Sequence, residues 1–136
     1  MNSKLMNGVF VFLVLMVAIG FIYYDFFQKP GLLFSAPGDG MKNYFTFLYH
    51  VKHDSSNWKF EGMNYPFGEN IVFTDNQPIL SIVAKWTHSI VGFSDSSLIA
   101  FHNWAILLGL ALGSLGIFFV LRKLNTGFLF ALFCTI

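Results

Sequence analysis

The chain has 136 residues and a formal net charge of +1 at pH 7, and 55% of its residues are hydrophobic while only 11% are charged. Soluble proteins have roughly a quarter of their residues charged, so this composition argues against a protein that is surrounded only by water. The small net charge and the scattered basic residues exclude nucleic acid as a partner. The single cysteine, Cys134, excludes a disulfide framework and a cysteine metal site.

Three apolar stretches predict transmembrane helices. Residues 5–24 and 98–121 contain no Asp, Glu, Lys or Arg, and each has the ~20 residues that a helix needs to cross a bilayer core. Residues 127–136 are apolar but too few to span, so we expect a third span that continues beyond Ile136. The predicted fold class is an all-α integral membrane protein, of which residues 1–136 form the N-terminal part of one polytopic domain.

The flanks of these stretches predict their orientation. Lys4 precedes the first stretch, as in a signal peptide, but the bulky residues 23–27 that follow it are unlike a cleavage site and favour an uncleaved anchor. Lys4 and the pair Arg122-Lys123 place both ends in the cytoplasm. Residues 25–97 contain all seven acidic residues and are then predicted to be periplasmic or extracellular.

The outer segment has helical periodicity in residues 41–53 and 79–93, with apolar positions that share one helix face. These are Met41, Tyr44, Phe45, Leu48 and Val51 in the first stretch, and Ile79, Ile82, Val83, Trp86, Ile90 and Phe93 in the second. Both are too short to span, which predicts two amphipathic helices on the outer membrane surface, although packing against a soluble lobe would give the same pattern. The turn residues and aromatic residues of 55–74 predict an ordered loop.

Three polar residues stand out as candidates for chemistry. Asp39 lies between two glycines ahead of the first surface helix, where it fits either an N-cap or a residue that contacts a ligand. Asp75 precedes the second surface helix, and the cap interpretation is favoured there. His102, with Asn103 beside it, lies just inside a predicted span, where a polar side chain is costly and therefore indicates a functional site. The histidines show no spacing typical of a metal site.

Three strings carry a resemblance to a known family: GDGMKNY at residues 38–44, GMNYPFGE at 62–69 and DNQP at 75–78. Together with the layout of span, outer loop, two surface helices and return span, they resemble the beginning of the GT-C superfamily. Members of this superfamily are membrane glycosyltransferases that use polyprenyl-phosphate sugars as donors. The paired acidic motif of some members is absent, because glycine flanks Asp39 on both sides.

The resemblance implies transfer of a sugar from a polyprenyl-phosphate donor to an envelope acceptor on the outer face. It implies that Asp39 is catalytic, and Lys42 or Lys85 would stabilise the phosphate leaving group. Glu69, Asp75 and His102 are further candidates for substrate binding. The expected partners are the lipid bilayer, the lipid-linked sugar and further transmembrane helices beyond residue 136. The cofactor stays undetermined, with a divalent metal as one option.

Two other interpretations stay open at this point. A non-enzymatic polytopic protein, such as a transporter or a partner in envelope-polymer export, would use the same acidic loop to bind or guide an exported substrate. A small anchored protein that ends at Ile136 is the third interpretation, and the uncapped apolar tail argues against it.

Overall fold

The structure is a computed structural model that describes residues 3–34 and 38–135, with side chains described from residue 7 onward. Two features used above lie outside this description: the side chain of Lys4 and the terminal residue Ile136. The described residues form six α-helices: α1 (Ser3–Ile22), α2 (Tyr24–Gln28), α3 (Asp39–Lys52), α4 (Pro78–Val91), α5 (Asp95–Lys123) and α6 (Phe128–Phe133). The mainly helical fold class predicted from the sequence is confirmed.

Sheet structure in the described part of the chain is limited to one short antiparallel pair. Strand β1 (Lys59–Phe60) pairs with β2 (Glu69–Asn70), with Lys59 opposite Asn70. A single 3-10 turn, Ile71–Phe73, follows β2, and the Asn70 side chain caps it by accepting from the backbone N–H of Val72. These elements order the loop between α3 and α4, as its turn residues predict.

Helix α5 covers all of the predicted span 98–121 and extends three residues before it and two after it. It is the one helix in the described residues that is long and apolar enough to cross a membrane, and only 17% of its apolar stretch is buried. Helix α1 has 20 residues and ends at Ile22, two residues before the predicted end at Tyr24; its part with described side chains, Asn7–Ile22, is apolar. Helix α6 has six residues within the predicted 127–136.

The chain divides into two compact units, which we describe separately. The terminal unit consists of Met1–Gln28 and Ile106–Ile136, and its core contains Val11 and Leu15 of α1, Phe118 of α5 and Ala131 of α6. Within this unit Gly8 lies against the Phe119 ring, so closely that a Cβ at residue 8 would be 2.9 Å from Cζ. The first turns of α1 therefore pack beside the last turns of α5.

The central unit, Lys29–Ala105, is built on α3 packed against α4. Its core contains Phe47 and Val51 of α3, Ala84 of α4 and Leu98 of α5. Helix α3 begins two residues before the predicted stretch 41–53, and α4 begins one residue before the predicted 79–93 and ends two residues before its end. Gly92 ends α4 in the left-handed conformation (φ +69°) that glycine tolerates best.

Helix α3 buries part of its predicted apolar stripe, since Tyr44 and Val51 are each 3% exposed, whereas α4 leaves most of its predicted stripe exposed. In α4 the buried residues are the small Ser81 and Ala84, while Ile79 and Ile90 on the stripe are 81% and 84% exposed. In α3 the polar residues Thr46 and His50 are fully buried. Small side chains let two helices approach closely, and the Ser81 hydroxyl is satisfied locally by the carbonyl of Pro78 at 3.0 Å. The apolar stripe of α4 is consequently left without cover in the central unit.

Candidate functional site

Three of the candidate residues form one exposed cluster, which we call the acidic cluster: Asp39, Lys42 and Asp75. The Lys42 ammonium donates to Asp39 Oδ1 at 3.1 Å, and the Asp39 side chain is 91% exposed. Its hydrogen bond to Asp39, followed by the charges of Asp39 and Asp75, raises the pKa of Lys42 above its ordinary value. Two carboxylates, 36 positions apart in the sequence, thus act on the same ammonium group.

Asp75 reaches this cluster because the turn before α4 is fastened to α3. The Asn76 side-chain amide donates to the carbonyl of Thr46 at 3.3 Å, and Thr46 lies one helical turn after Lys42 on the same face. The Thr74 hydroxyl donates to the carbonyl of Ile71 at 2.8 Å and closes the preceding turn. The turn is therefore held against the first half of α3, with Asp75 exposed and near enough for its charge to act on Lys42.

Neither carboxylate is a helix cap, which corrects the cap interpretation of both. The N-cap of α3 is Gly38, so Asp39 is the first helical residue, and its side chain is free of a capping bond. The N-cap of α4 is Gln77, with Pro78 as the first helical residue and Asp75 two positions before the cap. Proline at the first helical position fixes where α4 begins, because it needs no N–H partner there. Both acidic side chains are consequently available for contacts with a ligand.

The two glycines beside Asp39 have different roles. Gly38 has φ +91° and ψ −134°, a conformation that residues with a Cβ rarely adopt, whereas Gly40 lies within α3. We expect Gly38→Ala to destabilise the central unit by about 1–3 kcal/mol through backbone strain, since a Cβ there would meet no atom of the described residues within 4 Å.

The matched control is Gly40→Ala, which we expect to be neutral or slightly stabilising because alanine favours a helix. Thermal unfolding of both variants, followed by circular dichroism, measures the difference. Equal unfolding midpoints for the two variants would mean that the conformation of Gly38 does not direct the chain into α3.

The loop that leads to Asp39 is anchored by Asn103 of α5. The Asn103 amide donates to the carbonyls of Pro30 at 2.9 Å and Leu32 at 2.8 Å, and its Oδ1 accepts from the Tyr44 hydroxyl. Tyr44 in turn accepts from the backbone N–H of Phe34 at 2.9 Å. Burial raises the pKa of Tyr44, although the Phe34 N–H opposes this, so the hydroxyl stays protonated and able to donate. We call these contacts the Asn103 anchor.

His102 lies beside this anchor and away from solvent. It is 1% exposed, its Nε2 donates to Asn43 Oδ1 at 3.0 Å, and the rings of Tyr44 and Phe47 lie 4.9 Å and 4.8 Å from its centroid. Its Nδ1 is buried and has no hydrogen-bond partner among the described residues. These contacts hold α3 against α5 through His102. None of them involves a residue of the acidic cluster.

A second group of polar side chains surrounds His50, and the sequence did not predict that they lie together. His50 Nδ1 donates to Asp54 Oδ2 at 2.6 Å, and Asp54 Oδ1 accepts from the backbone N–H of Glu61 at 2.9 Å. Lys85 donates to the carbonyl of Ser56 at 2.8 Å. Burial lowers the pKa of Lys85, and the charges of Asp54 and Glu61 oppose that effect. Lys85 therefore fastens the loop after α3, and the two carboxylates that act on it, Asp54 and Glu61, are not those of the acidic cluster.

The environment of His50 predicts a dependence of stability on pH. Burial lowers its pKa below 6.5, although its hydrogen bond to Asp54 opposes this effect, and the charge of Lys85 lowers the pKa further. A group whose pKa is lower in the folded state makes the unfolded state bind more protons, so stability is lost as the pH falls through 6.5 towards the folded value. We expect the central unit to lose stability between pH 7 and pH 5.

NMR titration of the His50 ring and unfolding midpoints across that range check this expectation. His50→Gln is the comparison variant, in which the contribution of His50 to the pH slope should disappear. Titration of His50 above pH 6.5 would contradict the expectation.

The remaining candidate, Glu69, lies on β2 and accepts from the Asn64 amide at 2.7 Å, which stabilises the turn between the strands. No contact links it to the acidic cluster. Across the described ranges, no three His, Cys, Asp or Glu side chains lie together as a metal site would require.

The anchor and the His50 group both carry weak signals in the sequence. Asn103 is an amide within an apolar helix, and Asp54 follows His50 at the four-residue spacing that places two side chains on one helix face. The partners of Asn103 are backbone carbonyls about 70 positions earlier, and no sequence pattern marks them.

Comparison of the chain with protein-family models, with curated proteins and with solved structures finds no match in any of the three.

Proposed function

We propose that this chain is the N-terminal part of a membrane glycosyltransferase that moves a sugar from a polyprenyl-phosphate donor to an envelope acceptor on the outer face. The observation that carries the proposal is the acidic cluster. It presents a carboxylate and an ammonium group side by side in solvent, at the beginning of a helix whose preceding loop is anchored to α5. The resemblance of the layout, with its span, outer loop, two surface helices and return span, to the beginning of GT-C enzymes supports the choice of substrate class.

The cluster contains the groups that such a transfer needs. The Asp39 carboxylate would take the proton from the acceptor hydroxyl as its oxygen attacks the anomeric carbon of the donor. The bond from that carbon to the phosphate oxygen breaks, and the electron pair leaves with the phosphate. Lys42, an exposed ammonium group beside Asp39, would stabilise the negative charge on the leaving phosphate. Asp75, exposed in the turn before α4, would act on the same lysine through its charge.

The membrane placement in this proposal has its own support. The first apolar segment would take the chain out across the bilayer, and α5 would return it to the cytoplasmic side, as the packing of Gly8 against Phe119 allows. The uncovered stripe of α4, with Ile79, Val83, Trp86 and Ile90, has no charged residue and would lie in the headgroup boundary of the outer leaflet. The phosphate of a lipid-linked donor lies at that same level.

The experiment that tests the proposal is a transfer assay on the purified full-length protein in lipid bilayers. A polyprenyl-phosphate donor with a radiolabelled sugar is incubated with envelope acceptors, and label covalently attached to the acceptor is counted. The same vesicles report translocation if label crosses the bilayer without a new glycosidic bond. Covalent transfer supports the enzyme, whereas translocation without transfer would overturn it in favour of a transporter.

A further inference from the structure

A cleft of about 290 Å³ opens in the terminal unit where the first turns of α1 meet the last turns of α5. It is lined by Asn7 of α1 and by Phe118, Phe119, Arg122 and Lys123 of α5. Its volume is close to the lower limit of small-molecule sites, roughly 300 Å³. It lies in the other compact unit from the acidic cluster, so it is not part of the site described above.

The walls of the cleft divide into an apolar floor and a cationic rim. Phe118 is buried in the core of the terminal unit, while Phe119 leaves about half of its ring exposed. Arg122 and Lys123 are both exposed at the rim, and Asn7 adds an uncharged amide from the opposite helix. Arg122 donates through one terminal nitrogen to the carbonyl of Thr126, which fixes its guanidinium group and leaves its other donors for a ligand.

The two cations have no acidic residue to neutralise them at this end of the fold. Residues 96–136 contain no Asp or Glu, and the first acidic residue of the chain is Asp25, beyond the far end of α1. Basic residues in the last turn of a helix are favoured by the helix dipole, which accounts for their position on α5. The dipole does not explain why both cations also line a cleft between α1 and α5. An uncompensated pair of cations beside an apolar floor matches a phosphate group attached to a hydrocarbon chain.

We propose that this cleft binds the phosphate of an anionic phospholipid headgroup, with Arg122 and Lys123 on the phosphate and Phe119 against the upper acyl chain. The site rests on the membrane placement given under the proposed function, in which this end of α5 faces the cytoplasmic leaflet, and it is independent of sugar transfer. Anionic lipids are abundant on that side, and each Lys or Arg near such a surface contributes about fivefold to lipid binding.

Lipid retention by the purified protein tests the site. The protein is placed in nanodiscs of phosphatidylglycerol and phosphatidylcholine in equal amounts, and the lipids that stay bound are counted by native mass spectrometry. We expect the wild type to retain phosphatidylglycerol preferentially. Arg122→Gln with Lys123→Gln should lower that preference by about fivefold for each cation removed. Lys52→Gln with Lys59→Gln removes the same charge outside the cleft and should leave the preference unchanged.

A second variant separates the cleft from charge alone and from misfolding. Asn7→Trp keeps both cations and fills the cleft from the α1 side, and we expect it to reduce the preference about fivefold with an unchanged circular dichroism spectrum. Unchanged preference in Asn7→Trp, an equal loss in the Lys52/Lys59 control, or no preference in the wild type would each overturn the site.

A further arm distinguishes a lipid headgroup from free phosphate. Inorganic phosphate at about 10 mM, compared with chloride at equal ionic strength, should not displace the lipid if the acyl chain contributes to binding. Displacement by inorganic phosphate would overturn the assignment to a lipid. Because the readout uses no sugar donor, absence of transfer activity would leave this result intact, and a failed lipid test would leave the acidic cluster unaffected.

Discussion

Substitution of Asp39 by asparagine is expected to lower the rate of sugar transfer by about 10²–10⁴-fold, the contribution that a positioned general base typically makes. Asparagine has nearly the same shape but cannot accept the proton from the acceptor hydroxyl. The side chain is exposed and provides no helix cap, so the fold should be unaffected. The transfer assay with radiolabelled donor measures the rate, and the main effect should fall on kcat rather than on KM.

Glu69→Gln is the matched control for this substitution. It also neutralises one carboxylate of the central unit, but Glu69 contacts Asn64 and not the acidic cluster. We expect transfer within about twofold of wild type, because exposed polar pairs contribute little. Wild-type transfer by Asp39→Asn, or an equal loss in Glu69→Gln, would remove Asp39 from the catalytic role.

Loss of the Asn103 anchor is expected to have the largest effect on stability. Asn103 is fully buried, and alanine at this position leaves the carbonyls of Pro30 and Leu32 and the Tyr44 hydroxyl without their partner. An unsatisfied buried group such as the Tyr44 hydroxyl costs about 1–3 kcal/mol, and the two part-buried carbonyls of Pro30 and Leu32 lose less, so Asn103→Ala should destabilise the central unit by about 3 kcal/mol. Thermal unfolding in nanodiscs should show a midpoint lower by about 10–20 °C.

Gln77→Ala provides the comparison, because Gln77 has an exposed amide that makes no capping bond although it occupies the N-cap of α4. Its unfolding midpoint should stay within a few degrees of wild type. If Asn103→Ala unfolds at the same temperature as Gln77→Ala, the loop before Asp39 does not depend on the anchor.

The acidic cluster shows how far the sequence predicts the site. Asp39 and Asp75 were identifiable because acidic residues beside turn residues stand out in a chain that is 11% charged. Asp39 and Lys42 are three residues apart on one helix, but the approach of Asp75 to them was not predictable, because it depends on the bond from Asn76 to Thr46, between residues 30 positions apart. The sequence made Lys85 and Lys42 equal candidates for binding the phosphate. The structure distinguishes them, because Lys85 donates a hydrogen bond to the carbonyl of Ser56.

The sequence by itself determined the helices, since periodicity and apolar length are local properties that predict α3, α4 and α5 to within three residues at each end. Only the tertiary structure decided which helix faces are buried. Periodicity identifies the apolar stripe of α4 but not its partner, and close packing selected the small residues Ser81 and Ala84 instead. The cationic cleft has the same origin, because Asn7 and Lys123 lie at opposite ends of the chain and meet only when α1 packs beside α5.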